Sequence, residues 1–431
     1  MLTQQIVCLR RLGGDRATEV KFGRWIRNDN VRIEELIDHA TAKVEELARG
    51  LHVLAIQDTT ELNYQAHAER VDGLGSVGNG TDVGLFLHPM LALDAASGAC
   101  LGLAAIHPWT RRHVAADHYA RLPIEEKESY RWLKSAETAK QRLHHATMIT
   151  IIADRESDIY EEWARLPDAQ THLLTRVCRD RRLNNGEKLY AHSDTLPVVA
   201  TPVMEIAARP GKRSAHRAQM EIRFGRVLIQ RPAKKPVQGL PSEIALTLVD
   251  VRETASSRVP GEPPIHWRLL TTHAVTTGEQ ALEIIDWYRQ RWQIEQLFRT
   301  LKRQGLNIES SQLEGAPGLT KLAVLALQVA VKSLQLTRAR DGTDARLATD
   351  AFEPEELTVL TALQPKLEGK TAKQKNPHGQ GQLAWAAWII ARLGGWKGYA
   401  SESPPGPITM LRGMQQFASL RSGWALAEMC A

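Results

Sequence analysis

The stretch His52-Val-Leu-Ala-Ile-Gln-Asp58 decides the fold. Its apolar run from Val53 to Ile56 reads as a buried strand, and the strand closes on a carboxylate followed by Thr59 and Thr60. The same pattern returns at Thr147-Met-Ile-Thr-Ile-Ile-Ala-Asp154, which runs on into Arg155-Glu-Ser-Asp158. An aspartate at a strand end ordinarily serves as a turn former or a helix cap. Two of them carry no chemistry without a further partner.

That partner lies in Tyr288-Arg-Gln-Arg-Trp-Gln-Ile-Glu-Gln-Leu-Phe-Arg-Thr-Leu-Lys302. Read as one helix, opened by a Thr277/Gln280 capping box and closed by Gly305, it places Tyr288, Arg291, Glu295 and Lys302 within roughly 60° of one another. Ile294, Leu297, Phe298 and Leu301 fall to one side of that row and are expected to pack inward. A solvated face with i,i+4 ion pairs is the plain reading of such a row. Asp58 and Asp154 give Glu295 a different reason to be there.

Between these segments the chain alternates strands and helices. Residues 1–27 are basic and lack a clear period, with Arg10, Arg11, Arg16, Lys21, Arg24 and Arg27 prominent. A helix is expected from an Asn30 cap to about Arg49, with Gly50 as its stop. The run from Gly73 to Gly84 reads as a flexible turn and lacks the Gly-Lys-Ser/Thr of a phosphate loop. Strands over Gly84–Asp94 and Cys100–His107 form an antiparallel pair through the Ala95–Gly98 turn, and Trp109–His113 is a basic loop. Helices over 124–145 and 157–166 and a strand over 172–177 follow. The order strand, strand, strand, helix, strand, helix, strand, insertion, helix is that of a ribonuclease-H-like mixed sheet. There the first and fourth strands are neighbours, so Asp58 and Asp154 would meet, and a helix on the sheet could bring Glu295 to them.

The expected organisation is a basic N-terminal remnant (1–27) and a ribonuclease-H-like core (28–177 and 274–337). A β-rich insertion (178–273) interrupts the core, and a helical C-terminal region (338–431) follows it. The latter includes helices over Pro354–Leu367 and Leu383–Leu393, while Leu319–Leu336 is an apolar core helix. The 431 residues carry a net charge of +6, which suits a polyanionic partner without demanding one. The four cysteines have no C-x-x-C or paired spacing, which fits a reducing compartment. No secretory signal is read at the N-terminus, and the longest apolar run, Leu322–Val331, is bracketed by Lys321 and Lys332. The expectation is a soluble chain in the cytoplasm, without a membrane partner.

Three clustered carboxylates repel one another and rise in pKa unless a cation neutralises them. An all-oxygen set without histidine or cysteine selects Mg²⁺ or Mn²⁺ over zinc. Two such ions about 4 Å apart serve phosphodiester chemistry by activating the attacking oxygen and stabilising the leaving one.

The spacing Tyr288-x2-Arg291-x3-Glu295-x6-Lys302 resembles the signature of the insertion-sequence-four family of bacterial transposases. Phe22–Val31, Ala55–Thr60, Lys127–Leu133, Ala153–Asp158 and Leu383–Ala386 resemble further family segments, in family order. The resemblance implies a transposase whose catalytic and metal-holding residues are Asp58, Asp154 and Glu295. By the same resemblance such an enzyme would cut transposon ends through a hairpin and join them to target DNA in a synaptic homodimer. It also implies that Tyr288, Arg291 and Lys302 hold backbone phosphates and that Arg176 contacts DNA, a sheet-edge salt bridge being its alternative. Trp267 would stack on a base flipped at the hairpin, or else pack in the insertion's core. Double-stranded DNA is the implied partner and the bacterial nucleoid the implied place. The family's helical DNA-binding domain would precede residue 24, where about twenty residues stand, so a truncated chain that pairs with and inhibits a full-length enzyme is the alternative expectation.

Overall fold

The computed structural model describes residues 7–430 apart from 14, 112–121, 210, 212, 234–238, 304 and 400, so Arg112 and His113 of the expected basic loop lie outside the described residues. In chain order the strands are β1 His52–Gln57, β2 Thr60–Asn63, β3 Gly75–Val77, β4 Asp82–Asp94, β5 Cys100–Trp109, β6 Met148–Ala153 and β7 Thr171–Arg176. They continue with β8 Val198–Ala200, β9 Val203–Ile206, β10 His216–Gln230, β11 Glu243–Glu253 and β12 His266–Thr271. The helices are α1 Leu9–Gly13, α2 Arg16–Arg27, α3 Ile33–Leu47, α4 Tyr130–Arg142, α5 Tyr160–Arg165 and α6 Leu189–Thr195. After the last strand come α7 Gly278–Arg289, α8 Trp292–Lys302, α9 Ala316–Ala339, α10 Pro354–Leu367, α11 Leu383–Leu393 and α12 Pro407–Cys430.

β1 is the centre of the arrangement. It pairs antiparallel with β4, Leu54 opposite Leu93, and parallel with β6, Ile56 opposite Ile152. β5 lies antiparallel on β4, and β7 lies parallel on β6. The order β5-β4-β1-β6-β7, with one antiparallel strand among parallel ones, is that of a ribonuclease-H-like core. Beyond β7 the sheet continues without interruption through β12, β11, β10 and β8, so the β-rich stretch extends the same surface.

Period-two alternation assigns the side chains of β1 to two cores. Leu54 and Ile56 join the cluster under α7, α8 and α9, whereas Val53 and Ala55 join one built with Ala136, Ala139 and Trp163 of α4 and α5. A third cluster, with Phe352, Trp385, Trp388 and Met410, ties α10, α11 and α12 together. Helix α9 is long and apolar enough to cross a membrane, but 72% of its most apolar window is buried inside the protein.

Several expectations need correction. The segment before residue 27 is not without period: Asp15 caps α2 by accepting from the Thr18 N–H at 2.8 Å, and Ile26 is buried beneath it. Its dense arginines mask an amphipathic helix. Helix α3 begins at Ile33 with no side-chain cap; Asn28, not Asn30, caps locally by accepting from the Asn30 N–H. The Gly-rich run contains β3 and the start of β4, and a side chain at Gly84 would sit 2.2 Å from the Leu62 carbonyl. The expected helix 124–145 begins as a 3-10 turn before α4. The helix over 278–302 is also broken, at Gln290 and Arg291, where N–H groups bond three residues back instead of four.

Gly413 of α12 lies against α11, and a Cβ there would fall 1.8 Å from the Ile390 carbonyl oxygen. Backbone cannot give way as a side chain does, and overpacking of this kind costs about 1–3 kcal/mol. Gly413→Ala is expected to lower the thermal midpoint by about 1–3 °C. An unchanged midpoint in calorimetry would refute this close approach.

Candidate active site

The register of β1 and β6 fixes the first two carboxylates. Asp58 and Asp154 each lie two residues beyond the paired Ile56 and Ile152, so they leave neighbouring parallel strands side by side. Each is anchored by backbone: Asp58 Oδ1 accepts from the Thr59 N–H at 2.8 Å, and Asp154 Oδ1 accepts from the Glu156 N–H at 2.9 Å. Asp154 thereby caps a 3-10 turn over Arg155–Ser157.

The third carboxylate arrives on α8. Ile294, Leu297 and Leu301 are fully buried, and this apolar face seats the helix so that Glu295 faces the strand ends. Arg291, at the break between α7 and α8, spans the cluster. Its Nη1 donates to Asp58 Oδ2 at 2.8 Å and its Nη2 to Glu295 Oε1 at 3.4 Å. The break does not spoil the grouping read from the sequence; it sets the guanidinium between the two acids. Burial alone would favour neutral Arg291, but Tyr288, Asp58, Glu295 and Asp154 hold its pKa above the ordinary value.

Asp58 records the electrostatic tension of the cluster. Its pKa is pushed up to about 7, first by burial and then by the charge of Asp154, with Glu295 adding to the rise. Arg291 and the Thr59 N–H act in the opposite direction without prevailing. One guanidinium is insufficient for three carboxylates in a poorly solvated place. The group is therefore suited to cations of higher charge, and its all-oxygen donors fit hard divalent ions.

The other candidates divide. Tyr288 is buried, its phenol raised by burial while Arg291 and Arg176 pull the other way. Arg176, at the end of β7, donates to the His266 carbonyl at 3.2 Å and stands in the fields of Tyr288 and Arg291, so it belongs to this cluster. Trp267 on β12 meets Tyr288 edge-on at 5.8 Å and packs partly into the core. Lys302 does not join the acids; two turns beyond Glu295 its Nζ donates to the Glu61 carbonyl at 2.8 Å and lies 3.1 Å from Glu309.

Sequence reading missed Arg131, which donates from Nε to Thr59 Oγ1 at 3.0 Å and from Nη2 to Glu156 at 2.5 Å. It therefore braces the segments after both aspartates. It lies within Lys127–Leu133, a stretch singled out by resemblance without a role for this residue. Beside it opens a cavity of about 530 Å³ lined in part by Arg111, Arg155, Arg179 and Arg231.

A mixed sheet with carboxylates gathered where β1 and β6 end, and a helix supplying the third, defines an α/β domain of the ribonuclease-H-like class. The model of the transposase DDE domain matches residues 107–331, a little over half of the chain, and the chain belongs to that family. It is a transposase-domain protein, and domains of this family use divalent metal ions. Among solved structures, the chain is similar to a piggyBac transposase in a synaptic complex with hairpin DNA, at 11% identity and a TM-score of 0.36. That likeness spans 68% of this chain and 48% of the other.

Because the folded pKa of Asp58 lies above its ordinary 3.8, its contribution to stability is complete below about pH 4 and is lost as pH rises to about 7. Asp58→Asn removes that loss. In metal-free buffer the variant's melting temperature is expected to gain on the wild type's between pH 4 and 7; a constant difference between the two would contradict it.

Proposed function

We propose that this chain is a DNA transposase whose Asp58, Asp154 and Glu295 hold two Mg²⁺ or Mn²⁺ ions and cut and rejoin phosphodiester bonds at transposon ends. The single observation that carries the reading is the convergence of residues far apart in sequence: Asp58 and Glu295 share one guanidinium, and Asp154 stands close enough to raise the pKa of Asp58. Divalent ions held there would neutralise charge on the attacking and leaving oxygens of the phosphodiester.

The chain's own residues do the positioning. Arg291 ties Asp58 to Glu295, and Arg176 and Tyr288 extend the polar lining toward β7 and β12. Lys302 would grip a phosphate by exchanging Glu309 for DNA, and Trp267 would stack on a displaced base from its place beside Tyr288. We assign the chain to the insertion-sequence-four branch on the Tyr288-Arg291-Glu295-Lys302 spacing, with double-stranded DNA as substrate. Residues 28–177 and 274–337 would be the catalytic core, 178–273 its insertion, and 338–431 the surface of a homodimer acting at the bacterial nucleoid.

With pre-cut transposon-end DNA, target DNA and Mg²⁺, the expected outcome is a strand-transfer product. Asp58→Ala, Asp154→Ala and Glu295→Ala should each reduce it to background while DNA binding persists. Turnover near wild type in any of them rejects the triad. A folded chain that binds ends yet yields no product is instead the non-transposing regulator that blocks full-length enzyme by pairing.

Lys302→Ala is expected to flatten the dependence of log K on log[salt] by about one unit, the share of one phosphate contact. An unchanged slope means that Lys302 keeps Glu309 when DNA is bound.

A further inference from the structure

Behind the carboxylates runs a buried polar chain with no solvent role. Gln57, His88, Ser157 and Glu162 are all essentially inaccessible. His88 Nε2 lies 3.1 Å from Gln57 Oε1, and Gln57 Nε2 donates to Glu162 Oε1 at 3.1 Å. The other carboxyl oxygen of Glu162 is bonded to Ser157 Oγ. On its far side, His88 Nδ1 lies 2.8 Å from Thr59 Oγ1, which accepts from Arg131 Nε.

Hydrogen-bond bookkeeping gives this chain one direction. Gln57 Oε1 can only accept, so His88 Nε2 carries the proton and Nδ1 accepts from the Thr59 hydroxyl. Burial and the nearby Arg131 and His107 hold His88 far below its ordinary pKa, in agreement with a neutral ring. Trp132 closes over that ring edge-on at 4.6 Å.

The placement of the ends gives the chain its meaning. Gln57 and Thr59 flank Asp58, and Ser157 and Glu156 belong to the turn that Asp154 caps. Two links therefore join the two aspartate segments. One passes from Gln57 through Glu162 to Ser157, the other from Thr59 through Arg131 to Glu156. His88 joins them on the Asp58 side. A β-strand pair alone sets register up to Ile56 and Ile152 but not the direction of the residues beyond.

We infer that Gln57, Thr59, His88 and Glu162 are positioning residues that hold Asp58 and Asp154 at the separation the divalent ions require. This rests on the reading of Asp58, Asp154 and Glu295 as the metal-holding site. Outer partners of metal ligands typically contribute about 10–100-fold in affinity.

The test uses the full chain, with folding checked by circular dichroism. Mn²⁺ binding is read from the loss of the free-ion electron paramagnetic resonance signal, and DNA cleavage is read separately as kcat and KM. Glu162→Leu and Thr59→Val are expected to weaken Mn²⁺ binding about tenfold or more and to lower kcat, with KM for DNA little changed. Glu162→Gln and Thr59→Ser, which keep a hydrogen-bonding group in place, should restore most of both. If Glu162→Leu does not fold, the nearly isosteric Thr59→Val at the solvent end decides. Folded variants with wild-type Mn²⁺ affinity and kcat overturn the inference. Asp154→Ala is the control: Mn²⁺ binding retained there removes the site itself. Binding lost in Asp154→Ala but intact in Thr59→Val and Glu162→Leu removes only the network.

Discussion

Mutual repulsion among three carboxylates is the constraint on which the structure turns. Asp58, Asp154 and Glu295 are held together by elements whose stability comes from elsewhere: parallel strand pairing for the first two and a buried apolar face for the third. Arg291 offsets part of the repulsion, yet burial, together with the charge of Asp154, still raises Asp58 to about 7. A site with this residual tension is more stable with a multivalent cation than without one. The fold therefore supplies free energy to keep the carboxylates close, and a divalent ion held there would recover it.

Much of this was legible in the sequence because the relevant signals are short-range. An apolar run that stops on an acid marks a strand end, and Asp58 and Asp154 both carry that mark. The Thr277/Gln280 capping box forms as read, and Ile294, Leu297, Phe298 and Leu301 are buried as their spacing requires. Even the break at Gln290 left the grouping of Arg291 with Glu295 intact, because one tightened turn rotates the face only slightly.

What was not legible depends on contacts between distant segments. Nothing around Gln290, neither proline nor glycine, announces a change of hydrogen-bond pattern; the pull of Asp58 on Arg291 coincides with it. Lys302 shares the expected face but meets Glu309 on a following turn that helical periodicity does not describe. His88 is a polar residue inside a strand buried from Gly84 to Leu93, and Glu162 an acid on a buried helix face. Each looks like an anomaly until Gln57 is placed between them, since a buried polar group needs a partner and Gln57 lies 31 positions from His88 and 105 from Glu162.

The assembly also has a temporal order. Arg291 reaches Asp58 across 233 positions, and β1 must wait for β6 before its second edge is paired. A chain emerging from the ribosome presents Asp58 and Asp154 long before α8 exists. Until α8 has folded onto the sheet, the acids lack both Glu295 and the guanidinium that steadies them. A nascent or interrupted polypeptide thus carries an incomplete carboxylate cluster, and the site is assembled only in a nearly finished protein.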